Sequence, residues 1–222
     1  MTKMEKVYEL LKKSYPDAKC GLNYGSPFQL LVSTMLSAQA TDKSVNAVTE
    51  DLYKEYPDME SFLKLTQEEI EEKIKKIGIS KNKSKNIYNM VRVLKEKYDG
   101  EVPRNMGDLM SLPGVGRKTA SVVLVEAFNI PAFPVDTHVY RLARRIGLSR
   151  GTTADKVSDE LMTKLPKYKW HLMHHLLITH GRQTCIAQNP KCEICSVKNL
   201  CNYYKSESKN NLSSTDSKES QN

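Results

Sequence analysis

A tight turn between two helical stretches constrains the fold of this chain more than any other feature. Residues 112–120 read Leu-Pro-Gly-Val-Gly-Arg-Lys-Thr-Ala, and an apolar run with helical spacing follows at once. Proline and glycine permit a sharp reversal of the backbone, including positive φ where it is needed. The second helix therefore begins with open backbone N–H groups and the positive end of its dipole, which together favour a phosphate group.

Lys118 lies in the first turn of that second helix, beside Arg117. A neighbouring cation and a helix N-terminus both disfavour a charged ammonium group, and the neutral amine is the form that acts as a nucleophile. The alternative interpretation is an ordinary corner between two helices that carries two solvated cations. Taken alone, this stretch is compatible with both interpretations.

Helical periodicity runs through the rest of the chain, and sustained alternation of apolar and polar residues occurs nowhere in it. Three helices carry clear start signals, namely Ser26-Pro27, Thr66 with Glu69, and Asp136. Further helices are predicted at residues 4–14, 43–56, 81–98, 106–111, 152–165 and 170–182. The predicted fold class is all-α, with the apolar helix after Ser26 buried at the centre.

The basic charge of the chain is compatible with nucleic acid but does not by itself identify a partner. Its 222 residues carry a formal net charge of +8, and ribosomal or membrane-surface proteins have similar excesses. The sequence contains no run of about 18 apolar residues, so no membrane-spanning helix is predicted. The first residues lack the apolar segment of a secretory signal, so we expect an intracellular protein. The polar composition of residues 206–222 predicts a disordered tail.

Four cysteines are crowded near the end of the chain, whereas Cys20 stands alone. Their spacing is Cys185-x6-Cys192-x2-Cys195-x5-Cys201. In a reducing compartment, such crowding indicates metal or cluster ligation rather than disulfides. Tetrahedral Zn²⁺ and a [4Fe–4S] cluster would both suit four thiolates, and the spacing does not choose between them.

Asp136 is the second candidate for chemistry, within the sequence Val135-Asp136-Thr137-His138. Its expected structural role is to cap the helix that follows. A carboxylate near Lys118 could also stabilise positive charge that develops on a sugar, or move a proton. The two residues are eighteen positions apart in the sequence, which leaves room for one helix and a return.

An ordered set of motifs between about residues 26 and 201 resembles the endonuclease III family of base excision DNA glycosylases with apurinic/apyrimidinic (AP) lyase activity. The matching motifs are residues 112–120, residues 135–138, the cysteine spacing, Ser37–Asp42, Ile77–Ile79 followed by Ser84-Lys85, and His180–Arg182. The resemblance implies two helical domains with a DNA cleft between them. A helical barrel would span residues 21–132 and contain a helix–hairpin–helix at 105–128. Residues 1–20 and 133–205 would form a domain with a [4Fe–4S] cluster, which selects iron–sulfur over zinc.

The resemblance also implies an activity and a set of site residues. Lys118 would attack C1′ of an oxidised pyrimidine nucleotide of the thymine glycol type, form a Schiff base and cleave the strand on the 3′ side by β-elimination. Asp136 would assist as the carboxylate. The nucleotide must first be flipped out of the duplex, and the residues matching Gln39 and Ile79 would fill and wedge the gap.

Further DNA contacts are expected from the hairpin backbone and from cations near Ile79. The hairpin candidates are Leu112, Gly114, Val115 and Gly116, and the nearby cations are Lys81, Lys83 and Lys85. The loop between the first two cluster cysteines carries one cation, Lys191, where better-known family members have more. Lys191 is therefore the candidate DNA contact of that loop. We expect a cytoplasmic, nucleoid-associated monomer that acts on damaged double-stranded DNA without membrane contact.

Three other functions stay open at this level. An adenine-removing glycosylase of the same fold would lack the lysine nucleophile and carry a glutamate about where Ser33 stands. An iron–sulfur electron carrier would have no use for the hairpin or the basic charge. A non-catalytic DNA-binding module would bind DNA with a steep salt dependence and lose no activity on Lys118→Ala.

Overall fold

The computed structural model describes residues 1–207, and those residues contain helices and no strand. The α-helices are α1 (Lys3–Ser14), α2 (Pro27–Leu36), α3 (Asp42–Glu55), α4 (Met59–Leu63), α5 (Gln67–Ile74), α6 (Ser80–Tyr98), α7 (Met106–Ser111), α8 (Arg117–Phe128), α9 (Thr137–Ile146), α10 (Ala154–Lys164) and α11 (Trp170–Gln183). Short 3₁₀ turns occur at Lys167–Lys169, Cys192–Ile194 and Lys198–Leu200. Residues 202–207 are also helical, and the predicted disordered tail beyond residue 207 lies outside the described part of the chain.

The chain divides into two compact units. The central unit is Cys20–Pro134 and contains α2 to α8. The terminal unit joins Met1–Lys19 to the chain from Val135 onward, and it contains α1 and α9 to α11. None of the helices within residues 1–207 combines the length and the hydrophobicity that a membrane-spanning segment needs.

The core of the central unit is built around α2, as its apolar sequence predicts. Every residue of this helix from Leu30 to Leu36 is buried, and the helix packs against α3, α6 and α8. Fully burying one such leucine contributes about 1.5–3 kcal/mol to folding. The hydroxyl of buried Ser33 lies 2.7 Å from that of Tyr53, which satisfies a polar pair in the core, and burial raises the pKa of Tyr53.

Side-chain caps define several helix starts. Ser26 accepts the backbone N–H of Gln29 at 3.2 Å, as expected for the start of α2. Thr66 and Glu69 form the reciprocal capping box that the sequence predicts. An equivalent box between Asp58 and Ser61 starts α4, a five-residue helix that the sequence prediction missed.

The terminal unit buries the apolar faces of α9 and α11 against each other, and α1 packs against α11. Val139, Leu142 and Ile146 supply the face of α9 at helical spacing. The opposite face of α9 carries Arg141 and Arg145, whose guanidinium groups reach the cysteine loop described below.

Candidate nucleic-acid interface and metal centre

The central unit contains a helix–hairpin–helix formed by α7, residues 112–116 and α8. The backbone N–H of Val115 donates to the carbonyl of Leu112 at 3.1 Å and closes the turn. Gly114 has a φ of +75°, and a Cβ there would lie 2.7 Å from Cβ of Asn86. The turn therefore requires glycine at this position for its backbone conformation and for its close approach to α6.

The hairpin presents backbone atoms and one exposed lysine. Gly116 is the N-cap of α8 and makes no side-chain cap hydrogen bond, so the helix starts without a side chain over its first N–H groups. Lys118 lies in the first turn and is exposed. Leu112 and Val115 are 2% and 6% exposed, so these two predicted DNA contacts can act through the backbone but not through their side chains.

Asp136 caps α9, as the sequence predicts. Its Oδ1 accepts the backbone N–H of Val139 at 2.8 Å, and its side chain is half-buried. The cap uses one carboxylate oxygen, so the second can serve a different partner. Lys118 belongs to the central unit and Asp136 to the terminal unit.

Gln39 and Ile79 share an unusual backbone conformation. Gln39 has a φ of +56° and Ile79 a φ of +61°, the left-handed region that residues with a Cβ rarely occupy. Both side chains are exposed, and Ile79 keeps 49% of its surface in solvent. A β-branched residue in this region is strained, and such strain persists where the surrounding structure holds it.

The four cysteines of the terminal unit line one pocket. None is in a disulfide. Burial raises the pKa of the thiols of Cys192 and Cys195, so thiolates at these positions need a positive partner, which a metal centre supplies. Four thiols around one small space, with no disulfide among them, fit a metal cluster.

Two arginines that the sequence interpretation did not single out hold the first cysteine in place. Arg141 donates to the carbonyl oxygens of Gly181 and Cys185 at 2.9 and 3.0 Å. Arg145 donates to the carbonyl of Ile186 at 2.8 Å, and its Nη1 lies 3.6 Å from Sγ of Cys185. The one sequence signal for this arrangement is their spacing of four residues, which places both arginines on the same side of α9.

His180 joins a hydrogen-bonded chain that ends on another cysteine. Its Nδ1 lies 2.8 Å from the hydroxyl of Tyr15, and its Nε2 lies 3.5 Å from Sγ of Cys195. Burial lowers the pKa of His180 to about 4, so the ring is neutral near pH 7. It can then accept from Tyr15 and donate to a Cys195 thiolate.

Two family models match this chain, one over the region that contains the hairpin and one over the four cysteines. Residues 32–167 match the HhH-GPD superfamily of base excision DNA repair proteins, and residues 185–201 match the iron–sulfur binding domain of endonuclease III. The chain belongs to the endonuclease III family. It is a DNA glycosylase of base excision repair, and its cofactor is a [4Fe–4S] cluster. The family, the all-α class and the cofactor expected from the sequence are therefore confirmed.

Individual relatives cover most of the chain. An endonuclease III of Rickettsia felis is 45% identical over 91% of this chain and 95% of that protein. The Escherichia coli K12 enzyme is 42% identical over 87% and 92%. A solved structure of a trapped endonuclease III–DNA covalent intermediate matches with a TM-score of 0.89 at 42% identity, over 93% of this chain and 99% of that one. A thermostable thymine-DNA glycosylase matches with a TM-score of 0.81 at 25% identity, over 92% and 97%.

Proposed function

We propose that this glycosylase is bifunctional: it removes oxidised pyrimidines of the thymine glycol type and then cleaves the strand through a Schiff base on Lys118. The observation that carries the proposal is the exposed lysine in the first turn of the hairpin's second helix. The similar solved structure captures an endonuclease III joined covalently to DNA. A covalent intermediate requires a nucleophile, and Lys118 supplies one at the hairpin.

The reaction follows from amine chemistry at a sugar carbon. Nζ of Lys118 attacks C1′, the bond from C1′ to the base breaks, and the base leaves with the electron pair and a proton. Opening of the sugar ring gives the imine between Nζ and C1′. Loss of a proton from C2′ then expels the 3′ phosphate, and water releases the unsaturated aldehyde and regenerates Lys118. The imine is the step that makes strand cleavage possible.

Asp136 supplies the carboxylate in this scheme. Its capping bond to Val139 fixes the side chain at the start of α9. The second oxygen can stabilise positive charge on the sugar as the base departs, or accept a proton. Substitution by asparagine keeps an acceptor for the cap but removes the charge. Asp136→Asn therefore separates the catalytic role from the structural one.

DNA would be held mainly through its backbone phosphates. The N–H groups at the start of α8, near Gly114 and Gly116, are suited to phosphate oxygens. Gln39 would fill the space that the flipped nucleotide leaves, and Ile79 would wedge the neighbouring base step. Lys191 is exposed at the end of the cysteine loop and would add one phosphate contact.

Cys185, Cys192, Cys195 and Cys201 are the proposed ligands of the cluster. When bound, the [4Fe–4S] cluster supplies a rigid cross-link for a loop with only short 3₁₀ turns. Arg141 and Arg145 order the backbone on either side of Cys185.

A strand-cleavage assay on duplex DNA with one thymine glycol tests the proposed activity. Wild type should release the base and leave the β-elimination end, whereas Lys118→Gln should lose both activities. Lys97→Gln makes the same chemical change at an exposed position late in α6 and should behave as wild type. Base release by wild type without strand cleavage until alkali is added would contradict the lysine mechanism and indicate attack by water.

A further inference from the structure

Lys83 differs from the other lysines at the start of α6. It is 6% exposed, whereas Lys81 and Lys85 on either side are exposed. Its Nζ donates to the carbonyl oxygen of Leu36 at 2.9 Å, and burial lowers its pKa. This amine is therefore committed to protein and does not serve as the phosphate contact that the sequence suggested.

One hydrogen bond of Lys83 reaches the Ile79 turn, and the other reaches the end of α2 just before the Gln39 turn. Its backbone N–H donates to the carbonyl of Ile79 at 3.1 Å and forms the first helical bond of α6. Its side chain binds Leu36, the last residue of α2 and three positions before Gln39. One residue thus links the turn that carries Ile79 to the turn that carries Gln39.

A buried ammonium at this place has an energetic cost that an apolar side chain would avoid. Helices α2 and α6 are already in contact within the apolar core. A methionine of similar shape would fill the space without desolvating a charge. What lysine adds is a directed bond to a carbonyl at the C-terminus of α2, where the helix dipole favours a cation.

We propose that Lys83 is a positioning residue that fixes the spacing of the Gln39 and Ile79 turns, so that both side chains enter damaged DNA together. This inference rests on the DNA contacts proposed above for those two residues. Simultaneous entry requires a fixed distance between the Gln39 and Ile79 side chains. In a rigid duplex, the gap that Gln39 fills and the base step that Ile79 wedges lie a fixed distance apart. Neither turn has a glycine at its left-handed position, which would allow its backbone to adjust. The hydrogen bond from Lys83 to Leu36 opposes movement of one turn relative to the other.

The test uses the full chain with its cluster and a duplex that carries 2-aminopurine opposite a tetrahydrofuran abasic analogue. At saturating protein, the fluorescence of 2-aminopurine reports how far the opposite base is unstacked, without any chemistry. Lys83→Met should lower this signal several-fold and slow single-turnover excision of thymine glycol by about ten- to a hundredfold. Lys97→Met, the same change about four turns along α6, should match wild type.

Lys83→Arg keeps a cation and a donor, but its longer side chain displaces the Leu36 carbonyl. Lys83→Arg should lower the 2-aminopurine signal and the excision rate less than Lys83→Met does. It also allows the proposal to be tested if Lys83→Met does not fold. Thermal unfolding of each variant identifies the folded ones. A wild-type signal in a folded Lys83 variant overturns the positioning role and leaves the proposed function intact.

A double-mutant cycle with Gln39→Ala separates positioning from general loosening of the fold. If Lys83 acts through the Gln39 turn, Lys83→Met should reduce the fluorescence signal much less in the Gln39→Ala background than in wild type. Equal fold-changes in both backgrounds overturn the proposal. Failure of wild type to unstack the base overturns the roles of Gln39 and Ile79, and the positioning role with them.

Discussion

The hairpin turn at residues 112–116 and the two turns at Gln39 and Ile79 reach the left-handed backbone region in different ways. The hairpin uses Gly114, for which a φ of +75° carries no steric cost. The other two turns place side chains with a Cβ at +56° and +61°. Glycine therefore serves the turn whose backbone is proposed to face a phosphate, whereas the two turns whose side chains are proposed to enter DNA carry backbone strain.

Among substitutions at the three left-handed positions, Gly114→Ala should give the largest change in stability. Alanine at this φ, with its Cβ 2.7 Å from Asn86, should lower the free energy of unfolding by about 2 kcal/mol or more. Thermal unfolding of the cluster-loaded protein measures the effect. Gly116→Ala is the matched control, because Gly116 has a φ of −92° and a Cβ there meets no atom within 4 Å. Equal losses in the two variants would contradict the special role of Gly114.

Ile79→Gly should separate stability from activity. Relief of left-handed strain offsets the extra entropy of glycine in the unfolded chain, so the free energy of unfolding should change by less than about 1 kcal/mol. Excision should nevertheless fall about tenfold or more, because the side chain proposed to wedge the base step is gone. The control is Ile77→Ala two positions earlier, where a residue 2% exposed is truncated at a cost of about 2–5 kcal/mol. A large loss of stability in Ile79→Gly would show that Ile79 is a packing residue.

Two substitutions at Gln39 separate the effect of its side chain from the effect of its backbone strain. Gln39→Ala and Gln39→Gly both remove the side chain, but only glycine removes the strain. Both variants should lose the same share of 2-aminopurine unstacking, while the glycine variant should be more stable by about 1 kcal/mol. Paired denaturant titrations resolve this difference. Greater stability of the alanine variant would argue against strain at this turn.

Local signals made much of the fold predictable. Ser26, Thr66 and Asp136 each bond a backbone N–H three residues ahead, so a short stretch of sequence decides each helix start. The start of α4 carries an equally local signal in Asp58 and Ser61. That helix was missed because five residues give too few turns for a hydrophobic period to show.

The parts of the site that sequence reasoning missed depend on contacts between distant residues. Lys83 looks like its exposed neighbours until α2 places the Leu36 carbonyl over it, 47 positions away in sequence. Arg145 and Ile186 are 41 positions apart, and Tyr15 and His180 are 165 apart. Charge and spacing in the sequence can place a residue on a helix face. How deeply its side chain is buried, and which distant residue it contacts, are visible only in the packed structure.

The proposed role of Lys118 at the hairpin is that of the nucleophile. The most direct measurement mixes the cluster-loaded protein with duplex DNA bearing thymine glycol, reduces it with borohydride and identifies the modified peptide by mass spectrometry. A covalent adduct on Lys118 is predicted, with no adduct in Lys118→Gln and a normal yield in Lys97→Gln. An adduct on another residue, or none with wild type on thymine glycol or an abasic site, would contradict it.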